Sequence, residues 1–462
     1  MAMGKRRQQH QGELWVETAR LARGPGHPFY RRLNQLLDKE RFDEMAEAAC
    51  SCFYAEAMGR PSLAPAVYFR LLLIGYFEGI ESERGIAWRV ADSITLREFL
   101  GLSLSDTTPD HSTISRTRRL IDSEAHTEVF TWVLRLVAKR GLLRGKTLGV
   151  DATTLEANAA LRSIVRRDTG ASYQEFLTAL AQASGIETPT REQLAKLDRK
   201  RPKKGSNEDW THPHDPDARI TKMKDGRTHL AHKAEHAVDL ETGAILAVTL
   251  QPADQGDTTS LGITVQEAMD SLADVLEDPE AASQMSETVV AELVADKGYH
   301  SNAVLTAQAK LGIRTYLSEP ARGRRRWRGK AAEKKATYGN RRRIRGKRGK
   351  ALLRLRGELI ERTFAHCYRT GAMRRTHLRG HANILKRQLI HVAAFNLGLI
   401  LRKQLGVGTP RALQGHRRAI LALFALFWSR QRARLAALLA LLNHWRLSPV
   451  LWSAQHLRAQ AA

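Results

Sequence analysis

The sequence predicts an α/β fold in which a mixed sheet is flanked by helices, with helical regions before and after it. In the central part of the chain, short apolar segments typical of buried strands alternate with segments at helical spacing. The flanking parts show apolar residues at helical spacing. Hydrophobic residues make up 43% of the 462 residues, which is enough for a packed core and excludes a wholly disordered basic chain.

Residues 1–140 are predicted to form a helical, DNA-binding domain. Apolar positions recur at helical spacing in three segments: 28–52, 64–77 and 83–99. A turn rich in Ser, Thr, Pro and Asp follows at 103–110, and a new helix starts near Ser112, capped by Asp110 or Ser112. That helix carries three arginines that we expect to contact DNA: Arg116, Arg118 and Arg119. This order is typical of a helix-turn-helix, although any helical bundle contains such turns.

Residues 141–375 are predicted to form the sheet domain, and 376–462 a helical C-terminal region. One short strand, 147–151, ends at Asp151, and another, 289–295, ends just before Asp296. The remaining predicted elements are a polar, irregular insertion at about 160–225, a hairpin of 227–239 and 244–251, helices at 259–276, 302–311 and 352–368, a strand at 313–317, and amphipathic helices at 380–405 and 415–457.

The net charge of +26 indicates a polyanionic partner, because 74 Lys and Arg stand against 48 Asp and Glu. The segment 322–350 carries fifteen of these cations and one acid, Glu333, so it contributes +14. It also holds Trp327 and Tyr338, which can stack on bases. We expect this basic insertion to stay unfolded until nucleic acid binds it. The alternative is a solvated loop that only keeps the protein soluble.

A membrane partner is not expected. The longest apolar run of the tail, 419–428, has ten residues, whereas a membrane-spanning helix needs roughly 20. The first 25 residues contain no apolar stretch typical of a signal peptide. The three cysteines, an odd and sparse set, favour a reducing compartment over a disulfide framework.

Two aspartates follow predicted apolar strands. In an α/β sheet, ligands bind at the carboxyl ends of the strands. A carboxylate at such a place is costly unless it is paired, hydrogen-bonded or bound to metal, and Mg²⁺ prefers carboxylate oxygens. Asp151 and Asp296 are the candidates, with Glu358 or Glu361 as a third acid on the following helix. Each aspartate alone is typical of a turn or a helix cap. Together with the basic insertion they favour a metal-dependent nuclease.

Other polar clusters give weaker predictions. His229, His232 and His236 lie on one predicted strand, and a polar strand near DNA or the metal site fits them better than zinc. Asp254 and Asp257 are interpreted as capping the helix that follows them. His212 and His214, in the insertion, are weak candidates for metal binding.

Several short stretches, in order, resemble one family: the bacterial insertion-sequence transposases of the insertion-sequence-five group, including its insertion-sequence-1182-like members. The matching stretches are VDATTLEAN at 150–158, ADKGY at 295–299, RGELIERTF at 356–364 and LRGHANILKR at 378–387. The helical segment 60–121 is similar to the family's N-terminal domain, of the InsH type. The resemblance extends over roughly residues 25–405.

The resemblance implies an RNase H-like catalytic domain with a DDE triad of Asp151, Asp296 and Glu361, spaced by 145 and 65 residues. It further implies two Mg²⁺ or Mn²⁺ ions, hydrolysis and strand transfer on double-stranded DNA, and a homodimer that pairs two element ends in a synaptic complex. The implied location is the bacterial cytoplasm, at the nucleoid. Phosphate contacts are expected from residues beside the acids and in the basic insertion: Lys297, Arg362, Arg324, Arg325, Arg326, Arg341, Arg342 and Arg343.

The region of the third acid departs from the family pattern. Related transposases often place a Tyr, an Arg, the Glu and a Lys at fixed spacings. Here Gly357 stands at the Arg position of Glu361, and Tyr368, followed by Arg369, stands at the Lys position. Glu358 has Arg354 at the expected upstream offset but lacks the downstream Lys. Two functions therefore stay open: an active DDE transposase, or a catalytically idle DNA-binding regulator of transposition.

Overall fold

The computed structural model describes residues 26–413 except 56–61, 202–204, 224–225, 322 and 324, together with a few isolated positions between 424 and 435. Arg324 therefore lies outside the described residues. The same holds, apart from those isolated positions, for the apolar run at 419–428 and the tail helices expected over 415–457.

Seven helices precede the sheet: α1 (Pro28–Lys39), α2 (Phe42–Cys50), α3 (Pro65–Glu78), α4 (Glu83–Ala91), α5 (Ile94–Phe99), α6 (His111–Leu120) and α7 (Ser123–Lys139). Their starts follow from local chemistry. Ser82, Ser93 and Asp122 each accept a hydrogen bond from a backbone N–H in the first turn of the next helix. Asp110 stands at the N-cap of α6 but its side chain makes no such bond.

The central part is built of strands β1 (Thr147–Glu156), β2 (Val165–Arg166), β3 (Trp210–Thr211), β4 (Arg219–Lys222), β5 (Thr228–Asp239), β6 (Ile245–Pro252), β7 (Glu292–Ala295) and β8 (Arg314–Leu317). Six of them form one sheet in the order β4-β5-β1-β7-β8, with β6 also paired to β5. β5 runs antiparallel to β1, β4 and β6, whereas β1, β7 and β8 are parallel to one another. The predicted mixed α/β fold is confirmed.

Strand β1 is longer than predicted, so Asp151 lies in its middle and not at its end. The pairing with β5 continues from Leu148, opposite Asp239, to Glu156, opposite Ala231. The apolar run that predicts a buried strand stops at Val150. The pairing of β1 with its neighbour β7 ends at nearly the same place, at Gly149. Beyond that point one side of β1 is open, which admits polar residues.

The insertion at 160–225 is more regular than its composition predicts. It contains helices α8 (Tyr173–Ala183) and α9 (Arg191–Lys200), each opened by a capping box in which the N-cap hydroxyl and the third-residue side chain bond reciprocally. The pairs are Ser172 with Glu175 and Thr190 with Gln193. A small separate apolar cluster forms around the buried Trp210.

Six further helices complete the described fold: α10 (Asp257–Leu276), α11 (Pro279–Ser283), α12 (Asn302–Lys310), α13 (Ala331–Arg345), α14 (Lys347–Phe364) and α15 (His381–Leu405). By length and composition, the stretch His381–Leu413 is apolar enough to cross a membrane, but 89% of its most apolar window is buried within the protein. It packs against α7, α3 and β6, so it is a core helix.

The basic insertion is folded, contrary to the expectation that charge repulsion keeps it open. Residues 331–345 form α13, and Glu319 pairs with both Arg325 and Arg341, which relieves repulsion at the two ends of the segment. The inner face of α13 is polar. Asn340 accepts from the Leu317 N–H and donates to the Leu317 carbonyl, at 2.9 and 2.8 Å, and Arg343 donates to the Thr315 carbonyl. These bonds close the exposed edge of β8.

A side-chain amide also satisfies the free backbone groups of strand β6. Asn396 of α15 accepts from the Ile245 N–H at 2.9 Å and donates to the Ile245 carbonyl at 2.8 Å. Both asparagine side chains are fully buried and each satisfies one strand residue's donor and acceptor. The sheet edges are therefore satisfied by side-chain amides of α13 and α15.

Replacing Asn340 with alanine tests the closure of the β8 edge. The buried N–H and carbonyl of Leu317 would lose their partners, so we expect the free energy of unfolding to fall by about 2–4 kcal/mol. Urea denaturation followed by circular dichroism measures it. Lys335→Ala, an exposed position of the same helix, should change it by less than about 0.5 kcal/mol; equal losses in both variants would contradict the proposed closure.

A buried histidine should make stability depend on pH. His126 donates through Nδ1 to the Asp122 carbonyl and accepts from the Tyr68 hydroxyl, and burial lowers its pKa from 6.5 to about 4. The unfolded chain takes up a proton below pH 6.5 while the folded chain does not, so stability is lost as the pH falls from 6.5 towards 4, at up to about 1.4 kcal/mol per pH unit. Chemical denaturation at several pH values measures this slope. It should be shallower in His126→Gln, and an unchanged slope would show that His126 does not contribute.

Candidate active site

Asp151 projects from the middle of β1 toward the face of the sheet that α14 covers. Its Oδ1 accepts from the Ala152 N–H at 2.9 Å, and its Oδ2 accepts from Arg356 Nη1 of α14 at 2.7 Å. Burial raises the pKa of the Asp151 carboxyl, the nearby negative charge of Asp296 raises it further, and the Arg356 guanidinium opposes both. This carboxylate is thus partly buried with Arg356 as a cationic partner.

Asp296 follows β7 directly, and the strand pairing brings it beside Asp151. The parallel register sets Gly149 opposite Val294, and two residues further along each strand are Asp151 and Asp296. The Asp296 side chain accepts from the Gly298 N–H at 2.8 Å, which opens a short 3-10 turn over Lys297–Tyr299. The two predicted aspartates therefore lie beside each other on adjacent central strands, Asp151 within β1 and Asp296 directly after β7.

A third aspartate approaches this pair from the other face of the sheet. Asp257 begins α10, but Gly256 is the N-cap of that helix, so the predicted capping role is wrong for Asp257. Its Oδ1 lies 2.6 Å from the Lys233 Nζ of β5. A Cβ added to Gly298 would lie 2.4 Å from Asp257 Oδ2 and 3.1 Å from Asp296 Oδ1, which shows how closely the two carboxylates face each other.

Beneath Asp257 lies a fully buried carboxylate, Glu235 of β5. Ser260 and Thr264 of α10 donate to it, as does the hydroxyl of Tyr299 at 3.2 Å, and the Lys233 ammonium lies 2.9 Å away. Burial and the charge of Glu235 raise the pKa of Tyr299, which keeps this hydroxyl protonated as a donor. The network ties the turn after Asp296 to β5 and α10. Nothing in the local sequence pattern distinguishes these residues; only the pairing of β5 with β1 brings them here.

The third predicted acid is carried by α14, which packs across β1 and β5. Arg356, Ile360 and Thr363 form its inner face, with Ile360 against Gly149 and Thr363 hydrogen-bonded to His236 at 3.1 Å. Glu361 is exposed on the flank of that face, in the wall of a cavity of about 780 Å³ that also includes Thr153. Glu358 is exposed and pairs with Arg362 at 2.8 Å.

The carboxylates are chemically suited to bind a hard divalent cation. They supply oxygen donors, and Asp296 lies close enough to Asp151 for its negative charge to raise the pKa of the Asp151 carboxyl. Glu361 stands further off. Within the described residues no three His, Cys, Asp or Glu side chains gather closely enough to hold an ion. The aspartate pair is assembled by the sheet, and Glu361 is brought to the same side of it but not into contact.

Two of the predicted histidines, His232 and His236, make buried contacts within the protein. His232 is buried beside Asp215 at 3.2 Å, and His236 bonds the Tyr368 hydroxyl at 2.7 Å. His229 is partly exposed and lines the cavity that holds Glu361. His212 and His214 contact each other edge to face, and no metal group forms among described residues there.

The arginines predicted to contact DNA divide into two sets. Several are engaged within the protein: Arg118 with Glu83 and Asn383, Arg325 and Arg341 with Glu319, Arg343 with Thr315, and Arg362 with Glu358. The remaining residues are exposed: Arg116 and Arg119, which donate to Ser112 and Ser115 of their own helix, and Lys297, Arg326 and Arg342. Burial of Arg118, at 8% exposure, removes it from any surface of α6.

An aspartate pair on two neighbouring central strands of a mixed sheet, with a glutamate-bearing helix packed across them, is the arrangement expected of an RNase H-like catalytic domain. Comparison with known families agrees. The family model "Transposase DDE domain" matches residues 200–397, and the model "Transposase domain (DUF772)" matches residues 18–120. No curated protein and no solved structure matches significantly. The chain belongs to the DDE transposases, enzymes that act on DNA and in general use divalent metal ions.

Gly298 should be essential to the site for steric reasons. In Gly298→Ala the new methyl group would displace Asp257, which Lys233 holds, or shift Asp296. We expect DNA cleavage to slow by about tenfold or more, with little change in thermal stability. A gel-based cleavage assay measures the rate. Gly262→Ala, in α10 with open space around it, is the matched control and should cleave normally; normal cleavage by Gly298→Ala would contradict this packing argument.

Proposed function

We propose that this transposase binds the terminal inverted repeats of its element, cleaves DNA there and transfers the strands, with Asp151, Asp296 and Glu361 as the catalytic acids. One observation carries the proposal: the β1–β7 register brings Asp151 and Asp296 together on the face that α14 covers. The match to the DDE domain family over residues 200–397, which include Asp296 and Glu361, supports it. Glu361 is favoured over Glu358 because it lines the cavity beside β1, whereas Glu358 pairs with Arg362.

A divalent metal, Mg²⁺ or Mn²⁺ and by the family's logic two ions, would be held by these three carboxylates. Bound there it supplies Lewis-acid stabilisation of the phosphate and activation of a water or a 3′-hydroxyl. The chain itself supplies rigidity. The Asp296 carboxylate is oriented by the Gly298 N–H, and the turn behind it is held by Tyr299 on Glu235. The Arg356 guanidinium, paired directly with Asp151, opposes the effect of burial on the pKa of this carboxyl.

The outer face of α13 is the surface we propose for contact with the DNA backbone. Lys334, Arg342 and Arg345 project from one side of this helix, opposite the buried Asn340. Tyr338 lies among them at 42% exposure, with the Arg341 guanidinium 4.8 Å from its ring and Trp327 6.1 Å away. A basic surface with an exposed aromatic ring is typical of nucleic-acid contact. Arg116 and Arg119 of α6 and Lys297 are further exposed candidates.

Strand transfer between two element ends requires them to be paired, so we propose a homodimer in a synaptic complex, acting in the bacterial cytoplasm at the nucleoid. The division of the chain at 140 and 375 stays a prediction, since helices on both sides share one apolar core with the sheet.

The second candidate function is that of a catalytically idle DNA-binding regulator. One observation favours it: Arg356 occupies Asp151 Oδ2, and the three acids do not converge within the described residues. A regulator would bind the element ends and leave them intact.

Isosteric changes of the acids distinguish the two functions. Asp151→Asn should reduce cleavage of terminal-repeat DNA with Mg²⁺ or Mn²⁺ by at least about a thousandfold while leaving DNA binding intact, because the metal loses its ligand. Glu361→Gln should have a similar effect, and Glu358→Gln should have less than about a threefold effect. Cleavage and strand transfer are measured on labelled DNA, and binding by mobility shift.

The outcomes decide between the candidates. A wild-type chain that binds the repeats but never cuts them with either metal is a regulator. Cleavage that survives Asp151→Asn contradicts the metal mechanism. Loss of activity in Glu358→Gln but not in Glu361→Gln reassigns the third acid.

A further inference from the structure

A basic cleft lies beside the proposed catalytic acids, and nothing so far assigns it a role. It is the cavity of about 780 Å³ that has Glu361 and Thr153 in its wall. Three arginines from the segment after α14 also line it: Arg369, Arg374 and Arg375. All three are exposed, and none belongs to the basic insertion that dominates the net charge.

Arg369 reaches the cleft because the helix changes its winding. After α14 the chain continues as a π-helical turn over Ala365–Thr370. A π turn contains one residue more than an α turn, so the residue eight positions after Glu361 takes the face that the seventh would otherwise occupy. Tyr368, the seventh, instead points inward and bonds His236. Arg369 therefore lies on the same side as Glu361.

Arg374 and Arg375 are fixed by the end of β1. The Glu156 N–H donates to the Arg374 carbonyl, and the Thr376 N–H donates to the Glu156 carbonyl, each at 3.0 Å. This parallel bridge adds the segment to the open side of β1, a few residues beyond Asp151. The guanidinium groups are thereby placed on backbone that the sheet holds, in line with the strand that carries the first acid.

The acids that line the cleft do not pair with two of these arginines, which can therefore bind a ligand. Of the acids that line it, Glu156 lies 3.8 Å from Arg375 and Glu81 pairs with His377 at 2.9 Å. Within the described residues, Arg369 and Arg374 have no acidic partner within 4 Å. Two unpaired guanidinium groups beside a carboxylate cluster favour a ligand that carries phosphates in a row.

We propose that this cleft binds the phosphodiester backbone of a single DNA strand adjoining the scissile bond, with Arg369 and Arg374 contacting its phosphates. The volume is that of a small-ligand pocket, so it accommodates a few nucleotides of one strand. This inference rests on the proposed function and deepens it: the cleft positions the strand, while the outer face of α13 contacts the duplex further away.

The test compares Arg369→Ala/Arg374→Ala with Lys310→Ala/Arg314→Ala. The control removes two exposed charges at the opposite end of the sheet, where β8 begins. Binding to a terminal-repeat DNA with a single-stranded end is measured without metal at several salt concentrations. The slope of log affinity against log salt should flatten by about 1.4 in the cleft variant, since each contact with a single-stranded phosphate contributes roughly 0.7. The control slope should be unchanged, and matching unfolding temperatures show that both variants fold.

A second arm locates the contact. Methylphosphonates replace the phosphates on either side of the scissile bond, and this neutral DNA should bind the wild type about tenfold or more weakly. The same replacement should cost the cleft variant almost nothing, because the contact is already missing. Independent, additive losses, or an unchanged salt slope in the cleft variant, would overturn the cleft assignment alone. If the wild type binds no terminal DNA at all, the proposed function fails instead.

Discussion

The close packing of α14 against β1 and β5 is the contact on which the arrangement of the site depends. Gly149 of β1 lies beneath this helix, and its missing side chain leaves room for Leu240 and for Ile360 of α14. A Cβ at that position would lie 2.5 Å from Leu240 and 3.3 Å from Ile360. With the helix this close, Thr363 bonds His236 and Arg356 reaches Asp151, so the helix cannot rotate without breaking both. The orientation of Glu361 then follows from its position on the helix.

The two faces of the sheet carry different electrostatic tasks. On the α14 face, Asp151 keeps part of its solvent exposure and one cationic partner, so it can exchange ligands. On the α10 face, Glu235 is fully buried and satisfied by hydroxyls and Lys233. A buried charge is tolerated only with such complete pairing, and once paired it is rigid. Through its bond with Tyr299, the rigidly held Glu235 thus supports the turn that follows Asp296, one of the proposed catalytic acids.

The sequence predicts the mixed sheet because its strands carry local apolar patterns, whereas the proximity of Asp151 and Asp296 depends on the register of β1 with β7. Apolar strands followed by acids, and a hairpin closed at Gly243, are visible without tertiary information. The length of β1 is not, since it depends on the β5 partner. The fold of the basic segment is also not visible in the sequence, because Asn340 binds the edge of a strand more than twenty residues away. Asp257 was misassigned since its partner, Lys233, lies on a different strand. The assignment of Glu361 and the DNA contacts stays a prediction.

Net charge turns out to be a poor measure of where a polyanion binds. Four of the fifteen cations of the basic segment bond within the protein: Arg325 and Arg341 share Glu319, Arg343 bonds Thr315, and Arg348 pairs with Glu292. Those arginines fasten α13 and α14 to the sheet. What remains for a ligand is decided by geometry, namely by which guanidinium groups the backbone fixes in the open. Two arginines that line the cleft of Glu361, Arg369 on the π-helical turn and Arg374 at the end of β1, therefore say more about the path of a DNA strand than fifteen cations counted along the chain.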